Sequence, residues 1–483
     1  MNFRIVAYIL SKLILACCVI MLLPLICSVF EAEGNRNAFI ESLGGALALG
    51  AILYSYGRNS GDTMNVREGI AITGLGWLLC VVTCMIPFWA GGYLSLLNSF
   101  FEAMSGLGCM GATVITHIDE MPKSILLWRS LIHWIGGLGI VVVFIALLPQ
   151  FGHGMVHMLN AESSGDRERL VPRLKSMAVS LFKIYLGFTV SAAIIYYLCG
   201  MYYFDAILHA FATIATGGFS THDASVAYFQ SPVIEAWMVF FMILSSLNFN
   251  MYIQVAHHGL KTLKRHTEFK VYLSVLSIFI LMITANLMSQ LDLDFFSAFR
   301  EAAFQTVSLS SSTGFVATDY ERWPAFSHFC LLFLMMMGGC AGSTSGGLKV
   351  SRVVILFKGV YAELWQRLHP QALYSITING NPVGRDKLFM VGRYFFVYIM
   401  LCVLWSVLLL ADGMTARDAI GASISAMSGI GPAFGQVGAT STFADLPDFS
   451  KFVICFGILL GRLEIFTILS MLNPEFWHKN KSW

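Results

Sequence analysis

The sequence has little charge and few of the residue patterns that build catalytic or metal sites. Only 12% of its 483 residues are Asp, Glu, Lys or Arg, about half the usual share in a soluble domain. The formal net charge is +2, which excludes the basic surface that a nucleic-acid partner requires. No CxxC pair or HExxH motif occurs, and the eleven cysteines are scattered through apolar stretches. These absences argue against a metal or disulfide framework and against an enzyme.

Apolar residues are abundant instead. They make up 57% of the chain, and the mean hydropathy is +0.71. The apolar runs are continuous rather than alternating, which predicts an all-α polytopic membrane protein and not a β-barrel. Ten runs are of spanning length, and they lie at 10–30, 39–56, 69–90, 124–149, 177–200, 232–256, 270–290, 326–348, 389–411 and 450–471.

The connectors between these runs alternate in charge. Residues 150–176, 257–270 and 349–387 are rich in Lys and Arg, whereas 219–232 contain neither. The positive-inside rule therefore places the basic connectors in the cytoplasm, and an even number of crossings places both termini there too. Basic patches that bind lipid or nucleic acid are the alternative reading. The first run lacks a small-residue cleavage pattern, so we expect a retained helix.

Four segments on the opposite side repeat without a gap. Each begins with Asn or an acid, continues with a small residue, and reaches a glycine thirteen positions after its start. The segments are NSFFEAMSGLGCMGA (98–112), DAILHAFATIATGGF (205–219), EAAFQTVSLSSSTGF (301–315) and DAIGASISAMSGIGP (418–432). Small-residue packing between similar helix hairpins explains the small positions. It does not explain a glycine at one fixed offset, which favours a functional repeat.

The repeat predicts a re-entrant pore unit. The first residues, Asn98, Asp205, Glu301 and Asp418, suit the N-terminal end of a helix. About ten helical residues follow, too few to span a bilayer. An extended segment with glycine then turns its carbonyls inward, where it must line a cavity or be buried in protein. Four such segments around one axis would form rings of carbonyl oxygens that replace the hydration shell of an ion.

Two further features lie in predicted crossings. Residues 338–347 contain five glycines in GGCAGSTSGG, too many for a straight helix; a P-loop is excluded because Leu348 stands where its lysine would be. A kink or close helix packing is the plainer alternative. Arg462 lies within an apolar run, where a charge is expensive and usually functional or paired. We expect Arg462 in mid-helix, projecting toward the ion path as an electrostatic barrier.

These motifs together resemble the Trk/Ktr/HKT superfamily of potassium transporters, and within it the bacterial Trk potassium-uptake membrane subunits. The resemblance covers essentially the whole chain. It is carried by HWIGGLGIVV (133–142), ATGGFSTHDAS (215–225), SSSTGF (310–315), GGCAGSTSGGLKVSR (338–352) and GRLEIFTIL (461–469). The first unit reads Gly108-Cys109-Met110 where that family usually has threonines, and the fourth reads Ser428-Gly429 where asparagines are common.

The resemblance implies four parallel M1–pore loop–M2 repeats around a central potassium-channel-like pore, with two extra N-terminal helices. The units would be 67–160, 161–260, 261–368 (with an intramembrane gating loop) and 369–483, after extra helices in 1–66. The implied potassium-binding filter residues are Cys109, Met110, Gly111, Thr216, Gly217, Gly218, Ser312, Thr313, Gly314, Gly429, Ile430 and Gly431. The implied gating residues are Gly342, Ser343, Thr344, Ser345, Gly346, Gly347, Lys349 and Arg462.

The same resemblance implies potassium uptake across the bacterial inner membrane. Potassium would be the bound ion, and the partners would be membrane lipid, a second copy of the chain in a homodimer, and a cytoplasmic regulatory subunit of the Trk type that binds NAD or ATP. In plant relatives a serine in place of the first glycine accompanies sodium transport, so the intact Gly111 favours potassium.

Two other transport functions stay open at this point: a less selective potassium and sodium transporter, and an ion-coupled secondary transporter or symporter. Secondary transporters usually show inverted repeats and broken helices in both halves. Here the repeats are parallel, and the sequence predicts only one broken crossing.

Overall fold

The computed structural model describes residues 1–59, 65–147, 170–369, 376–379 and 381–478. The regular secondary structure of this described part is helical apart from one short antiparallel ribbon. The helices are α1 Phe3–Phe30, α2 Arg36–Gly57, α3 Val66–Ala90, α4 Leu96–Gly108, α5 Lys123–Leu147, α6 Leu170–Leu198, α7 Tyr203–Ile214, α8 Pro232–Ser246, α9 Phe249–His258, α10 Thr267–Leu291, α11 Phe295–Ser310, α12 Ala325–Met337, α13 Val350–Leu368, α14 Arg385–Ala411, α15 Ala416–Ser428, α16 Asp448–Arg462, α17 Ile465–Leu472 and α18 Pro474–Trp477. The ribbon pairs β1 Thr377–Ile378 with β2 Asn381–Pro382.

Helices α1 and α2 form the extra N-terminal hairpin and pack on α3. Gly57 at the end of α2 faces the backbone of α1, where a β-carbon would lie 2.5 Å from the Tyr8 amide nitrogen. Small residues permit this close helix approach in membranes, where lipid is as apolar as the side chains and van der Waals packing drives association.

The rest of the chain repeats one three-part unit: an inbound helix, a re-entrant pore helix and an interrupted outbound helix. The inbound helices are α3, α6, α10 and α14, the pore helices are α4, α7, α11 and α15, and the outbound segments are α5, α8–α9, α12–α13 and α16–α17. The inbound helices, together with α1 and α2, are the six described helices that are long and apolar enough to span a membrane unbroken.

The expectation of a single broken crossing is wrong, because all four outbound segments are interrupted. α5 has a non-helical residue at Gly139 (φ 70°), and α8 and α9 meet at a bend of 88°. α12 and α13 are separated by residues 338–349, and α16 and α17 meet at 116°. Glu464, which begins the second half of the last segment, has a φ of 62°. The three breaks that the sequence did not predict occupy only one or a few residues inside long apolar runs, so they barely change the average hydropathy and the pattern hides them.

The pore helices begin earlier than the repeat predicted and are longer than ten residues, with lengths of 13, 12, 16 and 13. Asn98, Asp205 and Asp418 therefore lie at the third helical position, one turn after the cap, while Glu301 lies inside α11. Ser95, Asp294 and Thr415 are the capping residues that accept hydrogen bonds from the first turn. A carboxylate at the third helical position is still stabilised by the positive N-terminal end of the helix dipole.

The four units close into a ring. Each pore helix packs against the outbound helix of the preceding unit: α7 against α5, α11 against α8, α15 against α12, and α4 of the first unit against α16 of the last. This cyclic order brings the C-terminal ends of all four pore helices, with their partial negative charge, toward one axis.

Candidate functional site

All four pore helices end in the same backbone turn. The second or third residue past the helix end donates its N–H to the carbonyl of the small residue five positions back. The pairs are Met110–Ser105, Gly217–Ala212, Thr313–Ser308 and Ile430–Ser425, at 2.8–3.1 Å. The residue just before each donor is left-handed: Cys109 (φ 53°), Thr216 (φ 52°), Ser312 (φ 56°) and Gly429 (φ 66°). This is the Schellman type of helix cap. It turns the chain out of the helix at the same position in every unit.

The glycines after these turns contact one another in cyclic order. A β-carbon on Gly218 would overlap the Thr313 carbonyl oxygen, and one on Gly314 would overlap the Ile430 carbonyl oxygen. A β-carbon on Gly431 would lie 2.6 Å from Gly111 Cα, and one on Gly111 would lie 3.1 Å from the carbonyl oxygen of Gly217. These contacts bring the four turns that carry the predicted filter residues together in one closed ring. A side chain at Gly218, Gly314 or Gly431 would strike a neighbouring backbone, and one at Gly111 would be in tight contact with it.

The first unit departs from the other three. Gly218, Gly314 and Gly431 have a positive φ, but Gly111 does not. The Gly111 N–H donates to the Ile430 carbonyl oxygen at 3.2 Å. The side chain of Cys109 also turns away from the ring, its thiol donating to the His133 carbonyl at 3.4 Å.

Hydroxyl groups support the turns from behind. Ser105 donates to the Met110 carbonyl and, at 2.6 Å, is also within reach of the Ala112 carbonyl. Ser308 donates to the Phe315 carbonyl and Ser425 to the Gly431 carbonyl, both at 2.7 Å. The small residue of the repeat therefore holds the backbone after the turn in three units.

A buried ion pair, which sequence reasoning missed, ties the first two units together. Glu102 and Arg129 are at most 1% exposed, with Arg129 Nε 2.8 Å from Glu102 Oε1. Glu102 accepts from the Thr113 hydroxyl and the Val114 amide at 3.0 Å, and an Arg129 guanidinium N–H donates to the Ser220 carbonyl at 3.3 Å. The pair therefore holds the extended segment that follows the helix-ending turn in each of the first two units.

Glu102 lies nine residues before Gly111, and the equivalent positions hold similar supports in the next two units. His209 Nε2 lies 3.0 Å from the Ser220 hydroxyl, and Gln305 donates to the Thr318 carbonyl at 3.4 Å. The fourth unit has Ala422 there. Polar residues inside an otherwise apolar pore helix could have indicated these supports from the sequence, because aligning the four units places them at the same position.

The glycine-rich segment lies directly beneath the ring. We call residues 338–349 the intramembrane loop. The Gly346 N–H donates to the Ser312 hydroxyl of the third unit at 2.6 Å, and the Thr344 hydroxyl donates to the Ile214 carbonyl of the second at 3.1 Å. A β-carbon on Gly346 would overlap the Ser428 carbonyl of the fourth unit. The loop thus sits against the inner ends of three pore helices.

The loop is also seated on the break between α8 and α9. The Cys340 N–H donates to the Ser246 carbonyl at 2.9 Å, and the Phe249 N–H donates to the Gly342 carbonyl at 3.0 Å. Asn248 caps the start of α9, its side chain accepting a hydrogen bond from the Asn250 amide. Irregular backbone at membrane depth is stable only when its polar groups find such partners.

Two cations hold consecutive loop carbonyls. An Arg462 guanidinium N–H donates to the Thr344 carbonyl at 3.4 Å, and a second one donates to the Gly136 carbonyl of the first unit. Lys349 Nζ donates to the Ser345 carbonyl. Arg462 is the last residue of α16 rather than a mid-helix residue as expected, because the chain bends directly after it. Its charge therefore lies at the negative end of a helix and on the loop at once.

Glu464 takes a different partner from the neighbouring Arg462. Its carboxylate accepts from Arg352 at 2.7 and 2.9 Å, and the Arg352 guanidinium lies 3.8 Å from the centre of the Tyr394 ring. Arg462 is thereby left to the loop and to Gly136. In the described residues, no group of three or more His, Cys, Asp or Glu side chains is placed to hold a metal ion.

The fold and the site together define a class: a multi-pass α-helical membrane protein whose four parallel, potassium-channel-like pore units surround one axis. Known proteins match it over nearly their whole length. The Trk system potassium uptake protein TrkH of Vibrio parahaemolyticus is 35% identical over 99% of this chain and 100% of its own, and that of Escherichia coli K12 is 34% identical with the same coverage. The crystal structure of the Vibrio parahaemolyticus potassium transporter TrkH matches with a TM-score of 0.89 at 34% identity, covering 99% of this chain and 100% of that one.

The family TrkH, described as "Cation transport protein", matches residues 35–478. The chain belongs to this family and is a transporter, not an enzyme. The resemblance drawn from the sequence motifs is confirmed, and so is the fold class of a polytopic protein with four pore repeats.

Proposed function

We propose that this chain takes up potassium through the ring of filter turns. The observation that carries the proposal is the closed cycle of contacts among the four glycine-containing turns. Their carbonyls and the C-terminal ends of four helices provide partial negative charge around one axis. None of the twelve filter residues is Asp or Glu, whose carboxylate would hold a cation more tightly. The relatives named as potassium uptake proteins support potassium as the ion.

The filter ligands in this proposal are the backbone oxygens of residues 109–111, 216–218, 312–314 and 429–431. Side chains contribute little at the inner end. The Cys109 thiol is engaged with the His133 carbonyl, the Thr216 hydroxyl donates to the Ala215 carbonyl, and the Ser312 hydroxyl accepts from the intramembrane loop. The Gly111 N–H donates to the Ile430 carbonyl oxygen. The peptide group that carries the Gly111 N–H must therefore rotate before the Ile430 oxygen can face an ion alone.

The intramembrane loop would be the gate. It lies against the inner ends of three pore helices, and Arg462 links it to the first unit. Arg462 and Lys349 place two positive charges beneath the filter, which oppose a cation leaving toward the inner side. Opening requires the loop to leave Ser312 and Ile214, and Arg462 to release Thr344.

The remaining assignments rest on sequence and family. They comprise the bacterial inner membrane, cytoplasmic termini, a homodimer, a cytoplasmic NAD- or ATP-binding regulatory subunit, and division into units at residues 67, 161, 261 and 369. Parts of the basic connectors, residues 148–169 and 370–375, lie outside the described residues. The Lys and Arg content of the connectors supports the orientation and would attract an acidic partner or anionic lipid. A secondary transporter is the second candidate, favoured by the broken outbound helices in every unit.

Ion flux into proteoliposomes tests the proposal. Purified protein is reconstituted in vesicles, and uptake of potassium, sodium and a panel of organic solutes is measured under a fixed membrane potential. Potassium uptake that exceeds sodium uptake and is absent from protein-free vesicles supports the filter. Saturable uptake of an organic solute, with no potassium movement, would establish the second candidate instead.

A further inference from the structure

Glu268 bonds to both ends of the intramembrane loop. It lies in the first turn of α10, where an acid is ordinarily explained by its own helix dipole. Here one oxygen, Oε1, accepts from the Ala341 N–H at 2.8 Å and from the Ser351 N–H at 3.0 Å. Ala341 lies near the start of the loop, and Ser351 lies in the first turn of α13 just after its end.

Burial and the unpaired N–H groups at the start of α13 make the contact of Glu268 with the loop strong. Glu268 is 7% exposed, so its bonds are little weakened by competing water. The first N–H groups of α13 have no partner within their own helix, and Glu268 supplies one from another element. The carboxylate therefore closes the loop like a clasp, fixing its entry and its exit to one point on α10.

We propose that Glu268 is a positioning residue of the gate, which stabilises the closed position of the intramembrane loop. This inference rests on the proposed gating function. The loop can leave the filter only by moving its ends relative to α10, and any such movement must break the bonds to Glu268. Hydrogen bonds to a charged acceptor are among the stronger ones in proteins, so the clasp favours the closed state over the open one.

Three variants separate this role from general stability. Glu268→Ala removes the acceptor, whereas Glu268→Gln keeps an oxygen at the same place. Glu235→Ala is the matched control: Glu235 is also buried and in the first turn of its helix, but it pairs with Arg300 at 3.1 Å and not with the loop. Ser351→Pro removes one donor from the other side, at a first-turn position that tolerates proline.

Two readouts are measured on the reconstituted full-length protein: the ratio of open to closed time for potassium current, and hydrogen exchange of the loop amides. Glu268→Ala should raise the open-to-closed ratio and the loop exchange rate by about tenfold, the change that 1.4 kcal/mol produces. Ser351→Pro and Glu268→Gln should each raise both by a smaller factor, since the first removes one donor and the second keeps an acceptor oxygen but loses its charge. Glu235→Ala should stay near the wild-type values.

Wild-type rates in both Glu268→Ala and Ser351→Pro would overturn the proposal, as would an equal increase in Glu235→Ala. If Glu268→Ala does not fold, the result with Ser351→Pro decides. Hydrogen exchange does not depend on transport. If loop exchange is faster in Glu268→Ala but the protein conducts no potassium, the proposed function is refuted and the role of Glu268 in holding the loop is kept. If the protein conducts potassium but loop exchange in the variants is unchanged, the role of Glu268 is refuted and the proposed function is kept.

Discussion

The sharpest consequence of the ring concerns a single methyl group at Gly314. Its φ is +81°, and a β-carbon there would overlap the Ile430 carbonyl oxygen and lie 3.0 Å from Pro432 Cδ. Gly314→Ala therefore carries two costs: the left-handed backbone, roughly 1–2 kcal/mol for an alanine, and a shift of the Ile430 carbonyl by roughly 1 Å to restore van der Waals separation. The first cost is general, and only the second acts on the filter.

Gly92→Ala isolates the first cost. Gly92 has a φ of +71° and no atom within 4 Å of a built β-carbon. Both variants are expected to lose thermal stability. The loss in Gly314→Ala should equal or exceed the loss in Gly92→Ala. Only Gly314→Ala should lose ion discrimination, because a ring displaced by this much no longer matches a dehydrated potassium ion.

The assay is paired potassium and sodium flux from the same proteoliposome preparations, with melting temperatures measured alongside. We expect the potassium-to-sodium ratio to fall about tenfold or more in Gly314→Ala, equivalent to about 1.4 kcal/mol of lost discrimination, and to stay at the wild-type value in Gly92→Ala. If the two variants share the same ratio, Gly314 is an ordinary turn glycine and its place in a filter is refuted.

Other predictions concern the groups around the ring. Arg462→Ala should increase potassium flux at equal expression, because it removes a charge and a bond that hold the loop closed; unchanged or lower flux would count against the barrier. Glu102→Ala should lower the free energy of unfolding by about 3–5 kcal/mol, since it leaves Arg129 buried and unpaired; chemical denaturation in detergent measures this, and a loss below 1 kcal/mol would show that water reaches the pair. His222 is partly buried, which opposes its charge, but the neighbouring carboxylates of Asp205 and Asp119 outweigh this and raise its pKa. The contact of His222 with Asp119 (2.6 Å) should therefore be intact below the usual histidine pKa and be lost as pH rises through the raised pKa. Hydrogen exchange of the loop around His222, measured against pH, checks this. Faster exchange on mild acidification from neutral pH would contradict the predicted direction.

The sequence predicted the parts of the site that repeat. The four glycines share an offset, and aligned segments reveal it without any knowledge of the fold. The resemblance implies Ser345 in the gating loop, and the apolar run around Arg462 predicts that its charge faces the ion path; both residues also lie 31 positions after the glycine of their own unit. In the structure Arg462 bonds to the carbonyl of Thr344, next to Ser345.

The parts that could not be predicted depend on contacts between units. The breaks at Gly139 and Glu464 each fall at one left-handed residue, and a single residue does not interrupt the apolar run on either side of it. Glu102 pairs with an arginine 27 positions away. Glu268 is an ordinary helix-start acid until α13 and the loop are placed beside it.

Thallium, which resembles potassium in charge and size and scatters anomalously, tests the central claim most directly. In crystals of the wild-type protein grown in potassium and soaked in a thallium salt, anomalous peaks are expected on the axis between Gly111, Gly218, Gly314 and Gly431, ringed by main-chain oxygens. Peaks confined to side-chain carboxylates, or none between these four glycines at saturating thallium, would contradict it.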